Sequence, residues 1–114
     1  MQHPIYLHLD MKPISINQAY CFANKKMYLT KIAKEFKDKV IEKIKNENKI
    51  IGKVKLYIEF GFKDKRKRDV DNFLKLFIDS IKDNLIEDDS EIVCIVAKKV
   101  VSENYYIKFF IKSI

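Results

Sequence analysis

The sequence predicts an α+β fold, a single domain over residues 1–114 of order βαβαββ with helices packed on a mixed sheet. Two stretches repeat apolar residues at three- and four-residue steps, and four others alternate or stay apolar over strand lengths. A length of 114 residues is enough to bury one core and too short for two. Apolar residues make up 47% of the chain and only two glycines and two prolines interrupt it, so regular elements should dominate.

Ile5 to Leu9 alternates, with Ile5, Leu7 and Leu9 on one face, and reads as a strand buried on one side. "KPISINQAY" follows as a loop. From about Tyr28 to Asn46, Leu29, Ile32, Phe36, Val40 and Ile44 form the apolar stripe of a helix, with Thr30 as its N-cap. Lys53 to Phe62 is the cleanest strand, because Val54, Leu56, Ile58, Phe60 and Phe62 share one face. A second helix spans about Val70 to Asp83, burying Val70, Phe73, Leu74, Phe77, Ile78 and Ile81, with Asn84 as a left-handed cap after it. "EIVCIVAKKVV" is apolar on both faces and reads as an internal strand covered from two sides. "SEN" then turns the chain into "YYIKFFIKSI", completing an antiparallel hairpin.

The formal net charge of +7 suits nucleic acid, an anionic membrane surface or an acidic partner, and does not choose among them. No run of some eighteen apolar residues is present and the N-terminus lacks the zones of a signal peptide, so no membrane association is expected and the expected location is cytoplasmic. Cys21 and Cys94 have neither CxxC spacing nor histidine partners, which argues against zinc and disulfides; Cys94 reads as a buried thiol.

Most informative is "RDVDNFLKLFIDSIKDNLIEDD". Asp69 and Asp71 stand at the entry of the second helix, Lys75 one turn on, and Asp88 and Asp89 just before the next strand. Acids at a helix entry are commonly caps, and Asp71, Lys75 and Asp79 also fit a surface ladder of ion pairs. Asp88 and Asp89 fit a turn equally well. Taken together, however, three or four hard oxygen donors without histidine or cysteine suit Mg²⁺ or Mn²⁺. A calcium loop is excluded, because "DVDNFLKLFIDS" lacks the glycine of its sixth position.

Immediately before these acids runs "KDKRKR", with Lys63, Lys65, Arg66, Lys67 and Arg68 as cations. Alone it reads as a solvated loop. Beside the acids it reads as a collar that attracts phosphate while a bound metal neutralises the carboxylates. The combination fits metal-assisted phosphodiester hydrolysis, with Lys75 adding positive charge near the reacting phosphate.

These residues resemble the RusA-like Holliday-junction resolvases, endodeoxyribonucleases common in bacteria and their prophages. "RDVDNFLKLFIDSI" is similar to that family's R-D-x-D-N-x-x-K pattern, "EDDSEI" to its D-D-x-x-I ending and "KPISINQAY" to its P-x-S-x-N-x-x-Y element. The resemblance implies that Asp69, Asp71 and Asp89 are essential metal-binding acids and that Lys75 is the catalytic lysine. Asp88 matches a further acidic position, counted with the metal ligands, and Asp79 another. Asn17, in the N-terminal element, joins the five cations as a DNA contact. A Mg²⁺-dependent homodimer that nicks four-way DNA junctions in symmetric pairs is implied, with no small-molecule cofactor.

A helix from Asp71 to Asp83 is about 20 Å long, so Asp71 and Asp89 start at its opposite ends. Either residues 84–88 run back along it or Asp89 comes from a partner subunit. Two other classes of function remain open on the residues alone. One is a non-catalytic DNA-binding protein whose acids are caps, and the other a module that meets an acidic protein partner.

Overall fold

Alternation along Val54–Phe62 places Val54, Leu56, Ile58, Phe60 and Phe62 on one face, and all five are buried at the centre of the fold. The computed structural model describes residues 2–114. Its elements are β1 (Ile5–Leu9), α1 (Ile16–Ala19), β2 (Tyr20–Ala23), β3 (Lys26–Leu29), α2 (Lys31–Ile44), β4 (Val54–Phe62), α3 (Asp71–Ile81), β5 (Ile92–Val101) and β6 (Tyr106–Ser113). The expected strands and helices form in the expected order, and the α+β class with a mixed sheet holds.

The main sheet has four strands in the order β1-β6-β4-β5. β4 pairs in parallel with β5 and antiparallel with β6, which pairs antiparallel with β1. Helices α2 and α3 cover one face. Phe36, Val40 and Ile44 from α2 and Phe73, Leu76, Phe77 and Ile81 from α3 are buried against Leu56, Phe60, Phe109 and Ile111. Phe77 meets Phe109 edge-on, with ring centroids 5.0 Å apart. Thr30 caps α2 as expected, accepting the Ala33 amide at 3.2 Å.

The sheet's other face carries no helix. Tyr6, Phe110, Tyr57 and Val96 form one row across it, and a charged row of Lys108, Glu59 and Lys98 lies beside them. Glu59 accepts a hydrogen bond from the Tyr106 hydroxyl and ion pairs from Lys98 at 3.1 Å and Lys108 at 3.4 Å.

Several expectations are corrected. The hairpin of the last two strands does not form, because β6 inserts between β1 and β4. The α3 crossover lays β5 parallel to β4, and the following turn passes over the end of β4, where the Ser102 amide donates to the Phe62 carbonyl at 2.7 Å. β5 is therefore an edge, not an internal strand, and Val93, Ile95, Val96 and Val101 are 43–54% exposed. Cys94 on it is half-exposed rather than buried.

"KPISINQAY" contains α1, and a hairpin of β2 and β3 follows that the sequence reading missed. Its turn has positive φ at both Asn24 and Lys25, the mirror-image geometry that suits strand twist. Ile32 is exposed, its place in the α2 stripe being taken by Ala33. After α3 the left-handed residue is Asp83, with φ 69°, rather than Asn84. Among the described residues, no helix is long and apolar enough to cross a membrane.

Candidate active site

The basic run leaves the end of β4 and folds on its own charges. Asp64 accepts two hydrogen bonds from the Arg68 guanidinium, at 2.8 and 3.2 Å, and one from the Arg66 amide at 2.9 Å. The guanidinium lies 4.2 Å from the Phe62 ring centroid, and the Arg68 side chain is only 14% exposed. Chiefly through the Arg68 hydrogen bond, and next through the Arg66 amide, the Asp64 carboxyl is held down at about 2. Lys99 of β5 ties down the loop's end by donating to the Arg68 carbonyl.

Arg68 is thus occupied in shaping the loop. Lys65, Arg66 and Lys67 are exposed, and none makes an ion pair among the described residues. Lys63 and Lys12, the first residue of "KPISINQAY", both lie over the Tyr105 ring, at 5.8 and 5.1 Å from its centroid.

The α3 N-terminus bears on the capping account of the acids, with Asp71 in its first turn, where the helix dipole favours an acid. Its N-cap is Val70, with no side-chain cap hydrogen bond. Asp69 contributes only its carbonyl, which accepts the Asn72 amide at 3.1 Å. The carboxylates of Asp69 and Asp71 are exposed and have no hydrogen-bond or ion-pair partner among the described residues. Capping therefore does not account for them. Lys75 pairs with Asp79 at 3.3 Å, so the ion-pair ladder exists only in its second rung.

Between this loop and the N-terminal segment lies a cleft of about 480 Å³. Asn17, Gln18, Arg66, Lys67, Arg68, Asp69 and Asn72 line it, so α1 and the start of α3 present amide side chains and cations beside one free carboxylate. Gln18 and Asn72 were not singled out in the sequence. Asn72 stood inside the quoted motif, where its amide could have been weighed with the acids around it.

Asp88 and Asp89 lie elsewhere. Asp88 accepts the Ser90 hydroxyl and, at 3.1 Å, the Ser90 amide, and pairs with Lys82 at 3.3 Å. Its hydrogen bonds from Ser90, side chain first, hold its carboxyl at about 2. For Asp88 the turn account holds. Asp89 opens the short 3-10 turn Asp89–Glu91 and is exposed.

Ile92, three residues after Asp89, pairs with Val54 at the start of β4, whereas Asp69 follows the end of β4. Nine residues of strand, roughly 27 Å, separate those ends. Residues 84–88 do not run back along α3, because Leu85 and Ile86 are buried beneath its C-terminal end and the Asp83 amide donates to the Ile86 carbonyl at 2.7 Å. Among the described residues, no three His, Cys, Asp or Glu side chains gather as a metal site.

A cleft lined by cations, amide side chains and the carboxylate of Asp69 has the composition of a site that can meet a phosphodiester. A family model described as endodeoxyribonuclease RusA matches residues 10–112, and the chain belongs to that family. Membership makes it a nuclease and implies Holliday-junction resolvase activity, with branched DNA as the bound partner. A search of curated proteins returned no match.

Proposed function

We propose that the chain is a Mg²⁺-dependent endodeoxyribonuclease, with Mn²⁺ as a possible substitute, that resolves four-way DNA junctions by paired symmetric nicks as a homodimer. The observation that carries this reading is the pair of exposed carboxylates, Asp69 and Asp71, which have no partner among the described residues and stand beside a cation-lined cleft. A helix that leaves its entry acids uncapped, next to cations that would otherwise attract them, keeps both for another ligand.

Their donors fit a hard divalent cation in kind, being oxygen alone, but two carboxylates are few for one ion. Asp69 and Asp71 would hold the cation from one subunit and Asp89 from the other, which accounts for an acid that lies at the far end of the sheet. Such an ion supplies an activated water and charge neutralisation at the scissile phosphate. Lys65, Arg66 and Lys67 attract the backbone, and Asn17 with Gln18 borders its path. Lys75, freed from Asp79, adds positive charge to a non-bridging oxygen. Arg68 acts through the loop it braces, and Asp88 through the turn that presents Asp89.

Cleavage of a synthetic four-way junction with Mg²⁺ tests the reading, with a matched linear duplex, EDTA and Asp71→Asn as controls. Paired nicks are expected on the junction alone, and only with metal and Asp71 present. Tight binding without cutting under Mg²⁺ or Mn²⁺ would instead leave a DNA-binding protein.

The loop itself has a pH signature. Because the Asp64 carboxyl is lowered in the folded state, its contribution is complete above the ordinary carboxylate range and is lost only as pH falls through about 2. Carbon-detected NMR titration should therefore place the Asp64 midpoint near 2, and Arg68→Ala should return it towards the ordinary 3.8. An unshifted midpoint in the unsubstituted protein would show that the clamp is not formed in solution.

A further inference from the structure

We infer that the open face of the main sheet binds single-stranded DNA, seating successive bases on Tyr6, Phe110 and Tyr57. The three rings come from adjacent strands, since Tyr6 pairs with Phe110 across β1 and β6, and Phe110 with Tyr57 across β6 and β4. Alternation turns all three away from the core. Their sequence neighbours Ile5, Ile111 and Ile58 are buried, whereas Tyr6 is 61% and Tyr57 37% exposed. An aromatic row left uncovered among the described residues suits a ligand with flat apolar groups.

Charge around the row makes that ligand a polyanion. Lys112 and Lys55 pair across β6 and β4 on one side of it, and Lys108 and Lys98 stand on the other. Glu59 is the one acid that these four strands carry, and it already accepts the Tyr106 hydroxyl and ion pairs from Lys98 and Lys108. Four lysines therefore outweigh one satisfied carboxylate. A nucleic-acid strand matches the pattern, with its bases on the rings and its phosphates towards the lysines on either side.

Ring spacing selects the single strand. The centroids of Tyr6 and Phe110 lie 6.5 Å apart and those of Phe110 and Tyr57 6.0 Å, with planes tilted by 55° and 54°. Bases in a duplex rise by about 3.4 Å and cover one another's faces, so they cannot reach these rings. An extended strand, its bases parted, can set one on each. Val96 continues the row onto β5, and with the three aromatics it lines an open groove of about 410 Å³. The family acts on DNA, which makes deoxyribose the sugar. No residue of the cleft at the start of α3 takes part, so the inference is independent of the nuclease reading.

Fluorescence anisotropy of a short labelled oligo(dU), titrated with the full chain in EDTA, tests it. Binding is expected, and Tyr6→Ala and Tyr57→Ala should each weaken it by about tenfold or more, while Tyr57→Phe retains it. Lys55→Gln with Lys112→Gln should make the slope of log affinity against log salt shallower by about 1.4. Both alanine variants should leave duplex affinity, circular dichroism and sedimentation mass unchanged.

Absence of oligo(dU) binding would overturn the inference. So would binding that ignores both tyrosines and is lost with Lys65→Gln and Lys67→Gln, because the strand would then lie at the basic loop. Tighter binding of oligo(U), which differs only in its 2′-hydroxyl, would make the occupant RNA, and a changed sedimentation mass in the alanine variants would make the face a contact between proteins. Either result would also overturn it. Junction cleavage by the unsubstituted protein, scored in a separate assay, tests the nuclease reading alone.

Discussion

Asp69→Asn and Asp71→Asn should each lower junction cleavage by about 10³-fold or more, while leaving junction affinity within about threefold in EDTA. Asparagine keeps the shape of each side chain and removes the charge that binds a cation. Neither carboxylate caps α3 or enters an ion pair among the described residues, and the helix dipole gives Asp71 at most about 1 kcal/mol, so the melting temperature should fall by only a few degrees. Loss of an exposed acid beside the cations removes repulsion from phosphate, and affinity without metal should if anything rise. Parallel assays of nicking, gel-shift affinity and thermal melting separate these effects. A variant that cuts normally would remove its acid from the site, and one that melts far lower would revive a structural role.

Gly61→Ala is expected to be the most damaging single methyl group added to this chain. A Cβ at Gly61 would lie 2.1 Å from Cε1 of Tyr106, the residue paired with it across β4 and β6. The ring must move, and its hydroxyl then leaves Glu59. That contact is substantial on both sides. Burial first and the Glu59 hydrogen bond second push the Tyr106 phenol up to about 12, and the Tyr106 hydrogen bond is the largest cause of the lowered Glu59 carboxyl. Overpacking of this kind costs about 2–3 kcal/mol, which for a domain of this size corresponds to a fall of about 10 °C in melting temperature. Tyr106→Ala should relieve the clash, so the double variant should be clearly less destabilised than the two single changes summed. Strict additivity would mean that the two residues do not meet.

Periodicity carried most of the fold. Period-two alternation identified the core face of β4, and Thr30 marked the N-cap of α2, although the expected helix began at about Tyr28 and took in Leu29, both of which lie in β3. β5 defeated the same logic. Its middle is apolar on both faces, as in a strand covered from two sides, yet it lies at the edge of the sheet, so burial cannot be read from composition. The β2–β3 hairpin was hidden because its Asn24-Lys25 turn lacks the glycine that usually marks such geometry.

For the site, residue types were legible and their employment was not. Asp69 and Asp88 both precede helical turns, and sequence cannot tell which carboxylate folds back onto an amide. Asp88 does so on Ser90, while Asp69 leaves the N-cap of α3 to Val70. Arg68 looked equivalent to its neighbouring cations, yet Phe62 and Asp64 hold it inward.

The central claim is that each site joins Asp69 and Asp71 of one subunit to Asp89 of another. Asp69→Asn and Asp89→Asn proteins, each inactive alone, should be refolded together from denaturant and assayed for nicking of a four-way junction. A heterodimer then has one site lacking both acids and one site intact. With equal mixing, half the dimers are mixed, so about a quarter of the unsubstituted site activity should return, as single nicks. No recovery at any mixing ratio would contradict the account, because a site built within one chain leaves both halves of every heterodimer defective.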